Sequence, residues 1–525
     1  MFHRFACVLL LLLTSAAYAD RPNILLIMAD DMGYSDIGCY GGEIKTPHLD
    51  SLAANGLRFT QFYNTARCCP TRASLLTGLY PHQAGVGHMV GDDKVEGYRG
   101  RLNDECVTIA EVLRPHGYRT YMTGKWHVGE ARPHWPVDRG FDRSYSLVSG
   151  GSNYFRLDQG RILARDDQRI EPPKDWYITD AITDHSVAFL DDHARQSKDK
   201  PFFMYVAYTA PHWPLHAHPA DIEKYKGQYL KGWDALRQER HKRMIEMGLV
   251  DKNWPLTPRP DDVRPWAEAQ DKGDKDLRMA VYAAQIDRLD QSIGRILARL
   301  REQNQLDNTL IFFLADNGGC AEVIDRGTKG VPAGGADSFL SYGVGWANAS
   351  NTPFRLYKHW VHEGGISTPL IAHWPQGIKR KNELDHQPGH LIDILATVVD
   401  VTGAAYPKEV NGKTIQPREG VSLRPAFEGK SLDRKAPLYW EHEGNQAIRD
   451  GQWKLVKQHN KPWELYDLSA DRSEMKNLAK EQPERVKTMS EQWEAYAKRA
   501  RVIPWAELPK ARQAGKEKDK EKKPK

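Results

Sequence analysis

The chain has 525 residues, of which 40% are hydrophobic and 27% are charged, and its formal net charge is +5. These values are ordinary for a globular protein, and the length predicts one large domain with a smaller one. Residues 510–525 hold eight Lys and Arg against three acids, which accounts for the whole net charge. Because the rest of the chain is near neutral, we expect no nucleic-acid partner, and we expect residues 511–525 to form a disordered basic tail.

Residues 1–19 have the pattern of a secretory signal peptide. Arg4 supplies the basic region, residues 6–13 form the apolar core, and Ala17-Tyr18-Ala19 is a small-x-small cleavage site. The apolar run is too short to span a bilayer, and no later stretch has that character. We therefore expect an exported protein, periplasmic or secreted, without a membrane partner.

Four apolar runs predict buried parallel strands. They cover residues 23–29, 118–122, 201–207 and 309–315. The polar residues that follow these runs are Asp30 and Asp31, then Lys125 and His127, then His212, and finally Asp316 and Asn317. In open α/β sheets, ligands bind outside the carboxyl ends of the strands. The sequence therefore predicts an α/β domain with one active site at that edge.

Residues 67–78 have the pattern of a loop that turns into a short helix. Pro70 suits the first helical position, and Gly78 suits a left-handed stop. Cys68 and Cys69 stand at the N-terminal end, where free N–H groups and the helix dipole favour an anion. Two interpretations stay open on spacing alone: a pair of buried cysteines at the start of a core helix, or a reactive thiol.

Five cysteines remain after the signal peptide, and they are scattered along a long chain. They are Cys39, Cys68, Cys69, Cys106 and Cys320. This pattern is not that of a disulfide framework, and whether any of them pair stays open.

Three carboxylates and one amide stand at the ends of two predicted strands. They are Asp30, Asp31, Asp316 and Asn317. Oxygen donors of this kind select Ca²⁺ or Mg²⁺, whereas Zn²⁺ prefers nitrogen and sulfur. The alternative is two independent loops of solvated acids.

The sequence changes character around residue 405. Residues 438–440, 446–449, 453–457 and 463–467 have the pattern of short antiparallel strands, and Asp450-Gly451 is a hairpin signal between two of them. A closing helix is predicted over about 482–501. The predicted division is therefore a signal peptide at 1–19, a catalytic domain at 20–407, an α+β subdomain at 408–510 and the tail at 511–525.

The motif Cys68-x-Pro70-x-Arg72, followed by Leu75-Leu76-Thr77-Gly78, resembles the signature of the type I, formylglycine-dependent sulfatases. Thr71 stands where many members have Ser. The resemblance extends over most of residues 22–480 and is closest to bacterial arylsulfatases of the alkaline-phosphatase superfamily. It implies an α/β fold with a large mixed sheet between helices and a smaller C-terminal α+β subdomain.

The resemblance also implies the chemistry of the site. A maturation enzyme would oxidise Cys68 to formylglycine, which would be the nucleophile. Formylglycine would also bind one Ca²⁺ (Mg²⁺ being the less expected ion), whose other ligands would be Asp30, Asp31, Asp316 and Asn317. Arg72 would hold the formylglycine, and Lys125 and Lys358 would bind sulfate oxygens. His212, with Lys358, would protonate the leaving alcohol, and His127 would take a proton from the second hydroxyl of the hydrated aldehyde.

The expected activity is hydrolysis of sulfate esters, either aryl sulfates or sulfated carbohydrates. One alternative is a phosphate or phosphonate monoester hydrolase of the same superfamily, some of which also use formylglycine. Another is a catalytically dead, carbohydrate-binding relative, which the full set of expected catalytic residues disfavours.

Overall fold

A mixed sheet of eleven strands forms the centre of the protein. The computed structural model describes residues 21–521, with side chains to residue 517. The strand order is β10-β2-β9-β8-β1-β7-β3-β4-β5-β6, and β11 pairs with β2. The sheet strands are β1 (Asn23–Ala29), β2 (Leu57–Tyr63), β3 (Arg119–Lys125), β4 (Arg143–Leu147), β5 (Leu163–Arg165), β6 (Gln168–Arg169), β7 (Phe202–Ala207), β8 (Thr309–Ala315), β9 (Ser367–His373), β10 (Glu383–Asp385) and β11 (Gly389–His390).

The four strands predicted from the apolar runs are neighbours in the order β8-β1-β7-β3, and all run parallel. Every residue of β1, β7 and β8 is buried, which is why these strands have continuous apolar sequences. Strand β3 runs three residues further than predicted, so Lys125 is its last residue. The carboxyl ends of the four strands therefore share one edge, as predicted.

Helices cover both faces of the sheet. They are α1 (Pro47–Ala54), α2 (Cys68–Thr77), α3 (Ile109–Leu113), α4 (Ile178–Gln196), α5 (Pro219–Glu223), α6 (Gly232–Glu246), α7 (Lys272–Glu302), α8 (Val344–Ser350), α9 (Glu363–Ile366), α10 (Ile392–Thr402), α11 (Arg424–Phe427), α12 (Pro483–Arg499) and α13 (Leu508–Glu521). Alternate residues of β1 enter two separate cores: Leu25 and Ile27 pack on the α4 and α7 side, and Ile24 and Leu26 pack on the α2 and α10 side.

A second sheet of four antiparallel strands lies in the C-terminal part, with helix α12 packed against it. Its strands are β14 (Leu438–His442), β15 (Asn445–Asp450), β16 (Trp453–Lys457) and β17 (Glu464–Asp467), and a separate hairpin pairs β12 (Glu409–Val410) with β13 (Lys413–Thr414). The predicted hairpin between β15 and β16 is present, but its two-residue turn is Gly451-Gln452, one residue later than predicted, because Asp450 pairs with Trp453. Gly451 has a φ of +56° at the first turn position. The α/β class with a smaller α+β part is confirmed.

Buried ion pairs join this second sheet to the main one. Nζ of Lys454 lies 2.9 Å from Oε1 of Glu363 and 2.8 Å from Oε1 of Glu474, and Nε of Arg472 lies 2.8 Å from Oε2 of Glu363. All four side chains are fully buried. Because Glu363 begins the helix that leads into β9, the pairs fix the second sheet against the edge that carries the polar residues.

Two local predictions are wrong. Helix α2 begins at Cys68, two residues before Pro70, because the extended backbone of Arg67 ends the loop there. Residues 508–521 form a helix, so residues 511–521 of the predicted tail are not disordered, while residues 522–525 lie outside the described residues. Ala, Gln, Lys and Glu are strong helix formers, and Nε of Arg512 anchors this segment 2.8 Å from Oδ1 of Asp93.

The predicted signal peptide, residues 1–19, lies outside the described residues. Among the residues that the structure does describe, no helix combines the length and apolar character needed to cross a lipid bilayer. The five cysteines within residues 21–521 are all buried free thiols, which answers the open question of their pairing.

Candidate active site

The predicted site residues meet at the carboxyl edge of the central parallel strands. Asp30 and Asp31 follow β1, Lys125 ends β3, and Asp316 follows β8. The other members, which come from loops and helix α2, are His127, His212, Asn317, Lys358, Cys68 and Arg72. Each of these side chains is less than a tenth exposed, so the site is a buried polar cluster at the predicted place.

Asp30 and Asp316 share one guanidinium. Nη2 of Arg72 lies 3.2 Å from Oδ2 of Asp30 and 3.0 Å from Oδ2 of Asp316, while its Nη1 donates to the carbonyl of Lys125 at 2.8 Å. Nζ of Lys125 donates to Oδ2 of Asp30 at 2.5 Å. Arg72 therefore ties the ends of β1, β3 and β8 together.

The pKa values of these two carboxyl groups are shifted in opposite directions. Burial alone would raise the pKa of Asp30, but Lys125, His212 and Arg72 outweigh it and lower that pKa below its usual value. Burial and the nearby Asp30 carboxylate raise the pKa of Asp316. An added cation between them would favour the ionised form of both.

Asp31 forms a second group of contacts. Lys358 Nζ lies 2.8 Å from Oδ1 and 2.9 Å from Oδ2 of Asp31, and the Asn317 amide donates to Oδ1 at 2.7 Å. Nε2 of His212 lies 3.5 Å from Oδ2 of Asp31. These contacts bring a lysine and a histidine that are far apart in sequence to the same carboxylate.

Two oxygen atoms of the cluster suit a metal ion. Within residues 21–517, Asp30 Oδ1 and Asn317 Oδ1 are buried and have no hydrogen-bond partner. Leaving a buried acceptor unpaired costs about 1–3 kcal/mol, so such atoms call for a ligand. With the carboxylates of Asp31 and Asp316 beside them, the donors are all oxygen, which fits Ca²⁺ or Mg²⁺ rather than Zn²⁺. The alternative of two separate solvated loops is wrong, because Asp31 N donates to Asp316 Oδ1 at 3.0 Å.

Cys68 and Cys69 begin helix α2, and both are buried. A hydrogen bond from Cys69, together with Lys125 and His127, lowers the pKa of the Cys68 thiol well below its usual value, against the effect of burial. Burial raises the pKa of Cys69. The shift at residue 68 has the direction that a reactive thiol requires, and the shift at residue 69 has the opposite direction.

His127 and His212 are both held by their surroundings. His127 Nδ1 lies 3.3 Å from Cys69 Sγ, and burial lowers the pKa of His127 to about 4, so its ring is neutral at pH 7. His212 Nδ1 lies 2.5 Å from the carbonyl of Trp213, so Nδ1 donates to that oxygen and Nε2 faces Asp31. Burial also lowers the pKa of His212.

Sequence reasoning missed a group at the mouth of the site. The carboxylate of Glu322 accepts a bond from Trp213 Nε1 at 2.8 Å and lies 3.0 Å from Nη1 of Arg67. Burial alone would raise the pKa of Glu322, but Lys358 and Arg67 outweigh burial and lower this pKa to about 2. Glu322 belongs to no motif with a recognisable spacing. The only indication in the sequence that it lies near the site is its position in the loop after Asn317.

Comparison with known proteins agrees with this geometry. The sulfatase family model matches residues 22–404, and a model for the C-terminal part of N-sulphoglucosamine sulphohydrolase matches residues 354–499. An arylsulfatase of Klebsiella aerogenes is 35% identical over 81% of this chain and 96% of its own length. Human arylsulfatase A is 29% identical over 90% of this chain and 86% of its own.

Among solved structures, the complex of Ps i-CgsB with k-i-k-neocarrahexaose is similar to this chain. It has a TM-score of 0.69 at 27% identity and covers 91% of this chain and 93% of its own. This likeness confirms the expected large mixed sheet with its C-terminal subdomain. The chain therefore belongs to the sulfatase family and is a sulfuric ester hydrolase.

Proposed function

We propose that this hydrolase acts through formylglycine at position 68 and one Ca²⁺ held by the surrounding oxygen atoms. The observation that carries the proposal is the pair of unpartnered buried oxygen atoms, Asp30 Oδ1 and Asn317 Oδ1, beside the N-terminus of the helix that begins at Cys68. The oxidised residue would supply a hydrated aldehyde as nucleophile, and a bound Ca²⁺ would supply a Lewis acid for the sulfate oxygens.

The protein's own cations would bind the substrate's sulfate group. Asp30, Asp31 and Asp316 balance the charges of Arg72, Lys125 and Lys358, so a divalent ion would bring the pocket to about +2. A sulfate ester carries one negative charge at neutral pH, and a phosphate monoester carries nearly two. Because the cluster offers one set of oxygen ligands, we expect the monoanionic sulfate ester to be preferred.

The two histidines would move protons. The neutral ring of His127, directed by its contact with Cys69, can accept a proton from a hydroxyl group on residue 68. The Nδ1–H of His212 is engaged by the Trp213 carbonyl, which leaves Nε2 to carry a proton toward the leaving oxygen. Lys358, bonded to the same carboxylate as His212, would assist there.

The substrate is proposed to be an aryl sulfate or a sulfated carbohydrate. The indole of Trp213 lies beside His212, the proposed proton donor to the leaving group, with ring centroids 4.6 Å apart. An aromatic face next to a carboxylate, here Glu322, suits a sugar or an aryl ring. The similarity to arylsulfatases and to a protein that binds k-i-k-neocarrahexaose supports this range of substrates.

We further propose that the protein is exported and matured before use. The support for export is the sequence pattern of residues 1–19. A formylglycine-generating enzyme must act on the chain before residues 67–78 fold, because Cys68 is only 2% exposed in the folded protein.

The test compares two substrates on one matured, tag-free preparation whose metal content is also measured. We expect kcat/KM for 4-nitrophenyl sulfate to exceed that for 4-nitrophenyl phosphate, with about one calcium per chain. Asn317→Ala should lose calcium, whereas Asn55→Ala, at an exposed position, should keep it. A phosphate value equal to or above the sulfate value would instead support a phosphate or phosphonate monoester hydrolase.

A further inference from the structure

A second cluster of metal-ligating side chains lies outside the active-site carboxylates. Nε2 of His88 lies 2.7 Å from Oε1 of Glu443, and Nδ1 of His359 lies 3.0 Å from Oε2 of the same residue. Nε2 of His442 lies 3.6 Å from Oε1 of Glu443. His88 comes from the loop after α2 and His359 from the loop before α9, while His442 ends β14 and Glu443 begins the turn to β15.

Hydrogen bonds do not explain why the imidazole of His442 is buried. Its side chain is fully buried, and neither ring nitrogen has a hydrogen-bond partner among residues 21–517. The rings of His88 and His359 pack around it, with centroid distances of 5.8 Å and 5.5 Å. Contacts with Glu443 satisfy His88 and His359, but they leave His442 as a buried, unsatisfied group directed at the same carboxylate.

The cluster is open to solvent on the other side. The side chains of His88, Glu443 and His359 are 22%, 24% and 29% exposed. His359 and Glu443 have positive φ values of 93° and 50°, a backbone region that such residues seldom adopt. A solvent-borne ion can therefore enter from the side of His88, His359 and Glu443 and meet His442 behind them.

We propose that His88, His359, His442 and Glu443 form a zinc site separate from the oxygen-only site of Asp30 and Asn317. Three imidazole nitrogens and one carboxylate oxygen are typical donors for four-coordinate Zn²⁺ and suit Ca²⁺ poorly. The donor atoms of His359, His442 and Glu443 all lie within 4.8 Å of one another. Zinc bonds of about 2.0–2.1 Å in a tetrahedron need donor atoms about 3.3 Å apart, so these three side chains need only small movements. His88, whose Nε2 lies 2.7 Å from Oε1 of Glu443, would turn toward the ion as the fourth ligand.

The position of the cluster defines what the ion would do. It would join the β14–β15 hairpin of the second sheet to two loops of the catalytic part. His359 directly follows Lys358, which bonds to Asp31 in the active site. Zinc would therefore be structural, holding the loop that carries Lys358 against the second sheet.

The test is direct zinc binding by the full mature chain, freed of any polyhistidine tag and of metals. Zinc alone is titrated in competition with a chromophoric chelator, and calcium content is measured in parallel after reloading with calcium. We expect one zinc per chain in addition to calcium. His442→Ala should weaken zinc binding at least about 10-fold, since losing a ligand costs no less than losing a second-shell partner. His48→Ala, which changes an exposed histidine, should bind zinc like the wild type.

Glu443→Gln serves as the second variant, because it preserves shape at a partly exposed position and should fold even where His442→Ala does not. It should also weaken zinc binding and should leave the calcium content unchanged. Cobalt added in place of zinc should give the strong visible absorption of a four-coordinate ion in the wild type and lose it in both variants. The proposal is overturned if the wild type binds no stoichiometric zinc, or if Glu443→Gln binds it as tightly as the wild type.

Discussion

Gly150 borders the imidazole of His127, and the contact leaves no room for a methyl group. A Cβ placed on Gly150 would lie 2.6 Å from Nε2 of His127, whereas ordinary van der Waals contact starts at 3.4 Å. The ring would have to retreat by about 0.8 Å, the difference between those two distances. A Cβ on the neighbouring Gly151 would lie 3.3 Å from Cε1 of His212, which requires almost no movement. Neither glycine has a positive φ, so alanine is compatible with the backbone at both positions.

The structure therefore predicts that Gly150→Ala impairs catalysis more than stability. The atom in the way is the end of a side chain, so the ring of His127 can swing aside at a cost of about 1–3 kcal/mol. A displacement near 1 Å from a productive geometry costs about 100-fold in rate. We expect kcat to fall about 100-fold in Gly150→Ala and to stay within about threefold of the wild type in Gly151→Ala.

The assay is kcat and KM for 4-nitrophenyl sulfate on matured protein, with thermal unfolding measured on the same samples. The matched pair of glycines controls for added volume in this loop. Equal activity of the two variants, or a normal kcat in Gly150→Ala, would refute the placement of His127 in proton transfer.

Four other variants test the nucleophile, the general acid and the buried ion pairs separately. Cys68→Ala should abolish turnover with an unchanged circular dichroism spectrum, whereas Cys69→Ala should keep most of the turnover. His212→Ala should slow alkyl or sugar sulfates far more than nitrophenyl sulfate, since a good leaving group departs without a proton; equal losses would remove the acid role. Lys454→Met should lower the free energy of unfolding by about 3–5 kcal/mol in denaturant titrations, because it removes the cation that the buried carboxylates of Glu363 and Glu474 share. Burial alone would raise the pKa of Glu363, but Lys454 and the other cations lower it from 4.5 to about 2. The difference in unfolding free energy between the wild type and Lys454→Met should therefore persist above pH 4.5 and shrink as the pH falls below 4.5.

The parts of the fold that local patterns determine could be predicted from the sequence. Continuous apolar runs are the direct result of burial on both faces of a sheet, so β1, β7 and β8 were recognisable without any structure. Because the polar residues follow those runs, their meeting at one edge was also predictable. The roles of Lys358 and Arg72, by contrast, came from motif resemblance, since a single lysine or arginine carries no signal of burial.

Contacts between distant segments could not be predicted. Glu322 contacts Trp213 at the mouth of the site, and Gly150 packs beside His127. Neither residue has a distinctive sequence context. The histidine cluster unites His88 with His442, more than 350 positions away along the chain, through the docking of the second sheet. Such arrangements follow from tertiary packing, which no local sequence pattern encodes.

The most direct test of the account is tandem mass spectrometry of the peptide that spans residue 68, taken from active enzyme made in its native cell. We expect formylglycine at residue 68, in proportion to the specific activity of the preparation, and an unmodified thiol at Cys69. An unmodified Cys68 in fully active enzyme would contradict it.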